Sequence, residues 1–272
     1  VNGSVDKTIL GIMTTKSDVA VYAVAATIIT MFNTIPTAVS SVFQPEAVKL
    51  VANGSDGERL TDFVIRPGRI QFMLMGGFIA GFFLFGRDFI ICWTNKNMIN
   101  AWEYVLIIMI PNAIPLMQNT CLSVLNALDK RMFRSLILVA ITLLNIGMTI
   151  AFIPLIGPFG APLATGISYI IGHVILMNIY YKKRIKLNVF RMFREIFHSS
   201  WICVILAWLV NLPLMFWRVD GNWLVLLLKA AAFCVVYGLL LFLFGMNKSE
   251  KNMVYSISKR LHADRIFKHK GI

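Results

Sequence analysis

Long apolar runs, each close to the length of a membrane-crossing helix, constrain this chain more than any other feature. A hydrocarbon core of about 30 Å calls for roughly 20 apolar residues per helix. Seven runs reach about that length: 20–43, 70–93, 104–125, 136–156, 161–181, 200–217 and 223–246. Upstream of them, Val5 to Met13 reads as the end of a further helix. The runs are continuously apolar rather than alternating, which argues against strands, because an open sheet leaves its backbone unsatisfied in lipid. With 58% hydrophobic and 14% charged residues and a mean hydropathy of +0.73, the composition leaves no room for a sizeable water-exposed domain. The expected fold is all-α, a polytopic transmembrane bundle of about seven full spans plus a partial first helix.

Charge orders the loops. About 20 of the 26 Lys and Arg fall in four segments: Lys49 to Arg69, Lys130 to Arg134, Lys182 to Arg194 and the tail from Lys248. The alternate loops hold Lys16, Lys96 and Arg218, bracketed by Trp93, Trp102, Trp217 and Trp223. This asymmetry predicts cytoplasmic basic loops, a cytoplasmic C-terminus and aromatic residues at the opposite interface. It also accounts for the net charge of +13 through contact with anionic lipid, so no nucleic-acid partner is expected. The tail admits two readings, an amphipathic helix on the inner leaflet or a solvated charged segment. The four cysteines are scattered, without ligand spacing, and read as small hydrophobes. The chain opens Val1-Asn2-Gly3-Ser4 with no leader pattern and is expected to be part of a longer protein.

Polar side chains inside the runs are the candidate site residues, because they are costly in lipid and turn toward protein or a water-filled cavity. Asp6 and Lys7 form the sharpest pair. Adjacent helical residues point about 100° apart, so each needs its own partner or a ligand; the competing reading puts both near a helix end. In the third run Pro111 and Pro115 are expected to bend or open the helix. Asn112, Gln118 and Asn119 share one broad face there, suited either to lining a sugar cavity or to hydrogen bonding between helices. Asn33 with Pro36 allows the same two readings. Gly76, Gly77 and Gly81 read as a close-packing stripe, Asn145 and His173 as satisfied interior residues, and Lys229 as a snorkelling side chain. No metal-ligand spacing, nucleophile motif or phosphate loop appears, so neither enzyme chemistry nor a cofactor is expected.

These residues carry a family resemblance. Asp6-Lys7-x-Ile9-Leu10-Gly11, Ala20-x-Tyr22-Ala23, Phe43-Gln44-Pro45, Trp93, Gln118 with Ala127-x-x-Lys130, Asn145, and Ile156-Gly157-x-x-Gly160-Ala161-x-x-Ala164-Thr165 follow in an order that resembles the second half of bacterial polysaccharide (O-antigen type) flippases. The resemblance implies the C-terminal lobe of a MATE-like transporter of the multidrug/oligosaccharidyl-lipid/polysaccharide exporter superfamily. It divides the chain into a second-lobe bundle (1–181), a basic amphipathic linker (182–199), a terminal helix pair (200–246) and a basic tail (247–272). The implied activity is turnover of undecaprenyl-diphosphate oligosaccharide across the bacterial inner membrane by alternating access, with H+ or Na+ as coupling ion and a first lobe elsewhere in the protein. Carried onto this sequence, Lys7 would attract diphosphate, Asp6 would pair with Lys7 or carry a coupling proton, and Gln118 would bond sugar hydroxyls. A multidrug/cation antiporter shares the expected fold but needs an acidic, aromatic cavity. A membrane glycosyl- or acyltransferase needs a larger loop than any present.

Overall fold

The computed structural model describes residues 2–129, 131–198, 200–215, 217, 221–252 and 255, and these are helical almost throughout, with no strand among them. The helices are α1 (Asn2–Met13), α2 (Lys16–Ala52), α3 (Gly57–Trp93), α4 (Ala101–Met117), α5 (Asn119–Ala127), α6 (Arg131–Ile156), α7 (Gly160–Tyr169), α8 (Met177–Tyr180), α9 (Val189–Phe197), α10 (Ser200–Met215) and α11 (Trp223–Leu240). Among the described residues six stretches are long and apolar enough to cross a membrane, which makes this a multi-pass membrane protein.

One of the six, Met132–Ile185, has 54 residues and cannot be a single crossing. It folds back at Gly157, which holds a φ of +68° that an L side chain rarely adopts. A Cβ on Gly160 would strike the Phe152 and Ile153 backbone, Asn145 bonds Thr165, Gly172 seats Ile141, and Phe133 stacks on Tyr180 at 4.2 Å. Every pair is antiparallel, so α6 and the limb from α7 to Ile185 form a hairpin. The returning limb is α-helical only in part: Ile170–Leu176 and Tyr181–Ile185 are π-helical.

The third predicted span is broken. The α4 helix ends at Met117, Gln118 turns with its N–H on the Pro115 carbonyl, and α5 restarts at Asn119. Pro115 sits three residues before the break, in keeping with the opening expected from the two prolines. By contrast α2 runs unbroken through Pro36 and Pro45. Its start is fixed by a capping box in which Thr15 accepts from the Asp18 N–H and Asp18 accepts from that of Thr15. At 37 residues each, α2 and α3 span about 55 Å and overrun the hydrocarbon.

Helix α3 has two packed sides. One joins the main apolar core of α1, α2, α4 to α7 and α9. The other receives the terminal pair, α10 and α11, across the expected glycine stripe: a Cβ on Gly76 would meet Val204 at 2.8 Å, on Gly77 the Tyr237 ring at 2.4 Å, and on Gly81 the Phe233 ring at 3.2 Å. The segment at 182–199, expected to be a basic linker, carries the short amphipathic α9, which buries Met192 and Ile196 and packs on α3.

Two basic residues differ from their expected settings. Arg69, grouped by sequence with the loop cations, lies within α3 and is only 4% exposed. Its Nε donates to Glu250 Oε1 at 2.7 Å, Nη1 to the Glu195 carbonyl at 2.8 Å, and Nη2 to the Gly245 carbonyl at 3.0 Å. Lys229 does not snorkel. It is 1% exposed, and Nζ pairs with Asp88 Oδ2 at 3.1 Å and donates to the Trp217 carbonyl. A buried cation is tolerable only with such partners. Of the tail, 253, 254 and 256–272 lie outside the described residues, so the two readings of it are not tested.

Candidate functional site

Two cavities adjoin in the bundle, the first mainly polar and the second mixed, with Leu116, Leu122, Ile137, Leu138 and Met177 beside its polar residues. The first, of about 280 Å³, is bounded by α1, α2, α4 and α7 and lined by Lys7, Tyr22, Thr27, Thr30, Asn33 and Tyr169 among others. The second, of about 170 Å³, lies where the α4/α5 break faces the hairpin and is lined by Asn112, Gln118, Asn119, Arg134, His173 and Tyr181, again with Tyr169. Tyr169 belongs to both walls. So does a bonded amide pair: Asn112 Nδ2 donates at 2.7 Å to Oδ1 of Asn33, which lines the first cavity.

Asp6 and Lys7 part company as their helical offset requires. Lys7 is half-buried and lines the first cavity. Asp6 is 0% exposed, and its Oδ2 accepts from the Tyr22 hydroxyl at 2.6 Å and the Thr165 hydroxyl at 2.8 Å. Asn145 Nδ2 in turn donates to Thr165 Oγ1 at 2.8 Å, and Thr149 donates to Asn145 Oδ1. This chain of polar groups ties α1, α2, α6 and α7 together at one level. Asp6 Oδ1 has no partner among the described residues. No ion pair joins Asp6 to Lys7; Asp6 spends its hydrogen-bonding capacity on neutral hydroxyls.

The amides serve both expected ends. Asn112, Gln118 and Asn119 do come together on one cavity wall. Yet Asn112 also bridges α4 to α2, and Gln118, 1% exposed, donates through Nε2 to Asn178 Oδ1 at 2.6 Å, bridging the break to α8. Cavity lining and hydrogen bonding between helices are therefore one arrangement here. Asn33 enters it as the partner of Asn112; Pro36 supplies a carbonyl to Gln71 Nε2 at 2.9 Å. His173 lines the second cavity with its ring edge-on to Tyr169 at 5.5 Å.

A further polar feature runs along α2. Thr27, Thr30, Thr34, Thr37 and Ser41 recur at spacings of three and four, which puts them on one helix face, and all five are exposed. Each hydroxyl donates to a carbonyl of its own helix, for example Thr30 to Ala26 at 2.8 Å and Thr37 to Asn33 at 2.9 Å. Their oxygens still present lone pairs outward. The 14 residue steps from Thr27 to Ser41 span about 21 Å, most of a hydrocarbon core. The spacing was there to be read, but Ala, Ile and Val between the hydroxyls make the segment score as one apolar run.

No family model, curated protein or solved structure matches this chain, so its functional reading rests on these residues and their arrangement.

Proposed function

We propose that the chain is one lobe of a membrane transporter that flips a lipid-linked oligosaccharide, of the undecaprenyl-diphosphate class, across the bacterial inner membrane for surface polysaccharide assembly. The observation that carries this reading is a set of polar surfaces on a membrane bundle: the Lys7 cavity, the adjoining amide cavity and the exposed hydroxyl face of α2. Hydroxyls and amides suit sugar, a lysine suits diphosphate, and surfaces of this polarity are costly against acyl chains. The polyprenyl tail stays in lipid while the headgroup follows these surfaces. In this reading the basic loops and the C-terminus are cytoplasmic, and the facing wall belongs to the other lobe that the family resemblance implies.

Asp6 is then the coupling group: a carboxyl enclosed by hydroxyls exchanges a proton as the helices around it separate and close. A cation-exporting antiporter is the weaker alternative, because it needs its acid on the cavity wall. Here the lysine lines the cavity and the aspartate is buried behind it.

The test is glycan export in a strain deleted for the full-length protein and complemented with variants. Lys7→Ala and Asp6→Asn are each expected to lower surface glycan at least tenfold at normal protein level, while Lys7→Arg retains most of it. Normal export from both Lys7→Ala and Asp6→Asn removes the assignment.

A further inference from the structure

We infer that the second cavity is a receiving site for the phosphate ester of a sugar, with Arg134 as its anion anchor. The inference rests on the transport reading, since it names where the charged part of that cargo docks first. By sequence Arg134 belongs to a loop cluster of cations, where each would be solvated. It lies instead in the first turn and a half of α6, half-buried, on the wall of the 170 Å³ cavity. The ion pairs among the described residues join Arg69, Arg87, Arg191 and Lys229 to carboxylates, and Arg134 enters none of them.

Among the described residues no Asp or Glu lines this cavity. A partly desolvated guanidinium facing neutral walls is short of an anion, and its planar fork matches the oxygens of a phosphate. What surrounds it suits the rest of such a ligand. Asn112 and Gln118 are engaged with Asn33 and Asn178, whereas Asn119, Tyr169, Tyr181 and His173 make no side-chain hydrogen bond among the described residues and keep donors and acceptors for sugar hydroxyls. Position adds direction. Arg134 precedes Asn145, a member of the Asp6 network, by 11 residues of α6, or about 16 Å along the helix. Arg134 and Lys7 thus hold two levels of one path, with Tyr169 on both walls between them. The anion is received at Arg134 and handed on toward Lys7.

The experiment is direct binding to the purified full-length protein in nanodiscs of neutral phosphatidylcholine. Four probes are titrated: N-acetylglucosamine 1-phosphate, farnesyl-diphospho-N-acetylglucosamine, unphosphorylated N-acetylglucosamine and phosphatidylglycerol. Both phosphorylated sugars are expected to bind and to compete with each other, the neutral sugar at least tenfold more weakly. Binding of only the farnesyl probe also supports the site and assigns the phosphate to a lipid carrier; binding of both makes the phosphate itself the recognised group. Loss of a charge-assisted pair predicts that Arg134→Gln weakens the phosphorylated probes roughly ten- to hundredfold, with Arg134→Lys within about fivefold of wild type. Asn119→Asp, which sets a carboxylate on the same wall and leaves the arginine in place, is expected to give a similar loss should Arg134→Gln fold poorly. Wild-type affinity in Arg134→Gln or in a folded Asn119→Asp, no binding of either phosphorylated sugar, or equal competition by phosphatidylglycerol overturns the receiving site. Because binding is read without export, a wild-type protein that binds yet does not flip glycan defeats only the transport reading. One that flips glycan with Arg134→Gln binding unchanged defeats only this inference.

Discussion

Removing the Arg69 guanidinium tests how the terminal helix pair is held. Arg69 and Glu250 are 5% and 7% exposed at their side chains, and the guanidinium also serves the carbonyls of Glu195, at the end of α9, and Gly245, at the end of the π-helical extension of α11. In Arg69→Met the Glu250 carboxylate stays buried without its cation, and two helix ends lose a charged donor. Breaking one side of a buried pair costs about 3–5 kcal/mol, and carbonyls that regain water add little, so a loss of about 4 kcal/mol is expected. Glu250→Leu leaves the arginine its carbonyls and is expected to cost about 2 kcal/mol. If the pair is the unit, the double variant strands no charge and costs about 3 kcal/mol rather than the additive 6, a coupling of about 3 kcal/mol. The measurement is reversible unfolding in mixed micelles with rising dodecyl sulfate, followed by tryptophan fluorescence on the full-length protein. Additive losses, with coupling below about 0.5 kcal/mol, or an Arg69→Met variant as stable as wild type, would refute the clamp.

Two further outcomes follow from the same geometry. Gly77→Ala drives a methyl into the Tyr237 ring, whose hydroxyl is committed to the Met73 carbonyl at 2.6 Å, and is expected to cost about 1–3 kcal/mol in the same unfolding assay; Gly147→Ala, with open space around it, is expected to be neutral or up to about 1 kcal/mol stabilising. With the native cysteines replaced, Thr30→Cys and Thr37→Cys in intact membranes are expected to react with a membrane-impermeant thiol reagent, and Leu143→Cys, on an exposed apolar face of α6, to stay unreactive; equal protection of all three would turn the hydroxyl face of α2 toward lipid and remove the main support for transport.

Hydrocarbon made the spans legible, because a crossing helix must be long and apolar wherever it occurs; the prolines marked the break near Gln118, and the gap between the runs at 136–156 and 161–181 fell on the reversal at Gly157. The glycine stripe was readable for the same local reason. What stayed hidden were partners distant along the chain. Arg69 and Glu250 are 181 positions apart, Asp88 and Lys229 141, and Asp6 and Thr165 159. A basic residue near the end of an apolar run looks like a loop charge or a snorkelling side chain until its acid is known. Polarity alone singled out Asp6, Lys7, Asn112, Gln118 and Asn119, but could not name the hydroxyls of Tyr22 and Thr165 as the partners of Asp6. Nor could it place Arg134 on a cavity wall, because that depends on which way one turn of α6 faces.

The buried ion pairs also explain how charge is carried on a helix inside lipid. Arg69 and Asp88 are 19 residues apart on α3, about 28 Å, nearly the thickness of the hydrocarbon. Each therefore falls close to an interface rather than at the centre, where an ion is most costly. Between them the contact is dry and close: glycines of α3 against Val204, Tyr237 and Phe233. A helix pair pinned by charge at both ends and interlocked along its length has little freedom to slide against α3. The α1, α2, α6 and α7 side is built differently, from hydrogen bonds given by hydroxyls and amides around cavities, with no cation–carboxylate pair among the bonds that join these helices. On the transport reading proposed above, conformational change is thus expected on the cavity side, with α3 and the terminal pair moving as one body.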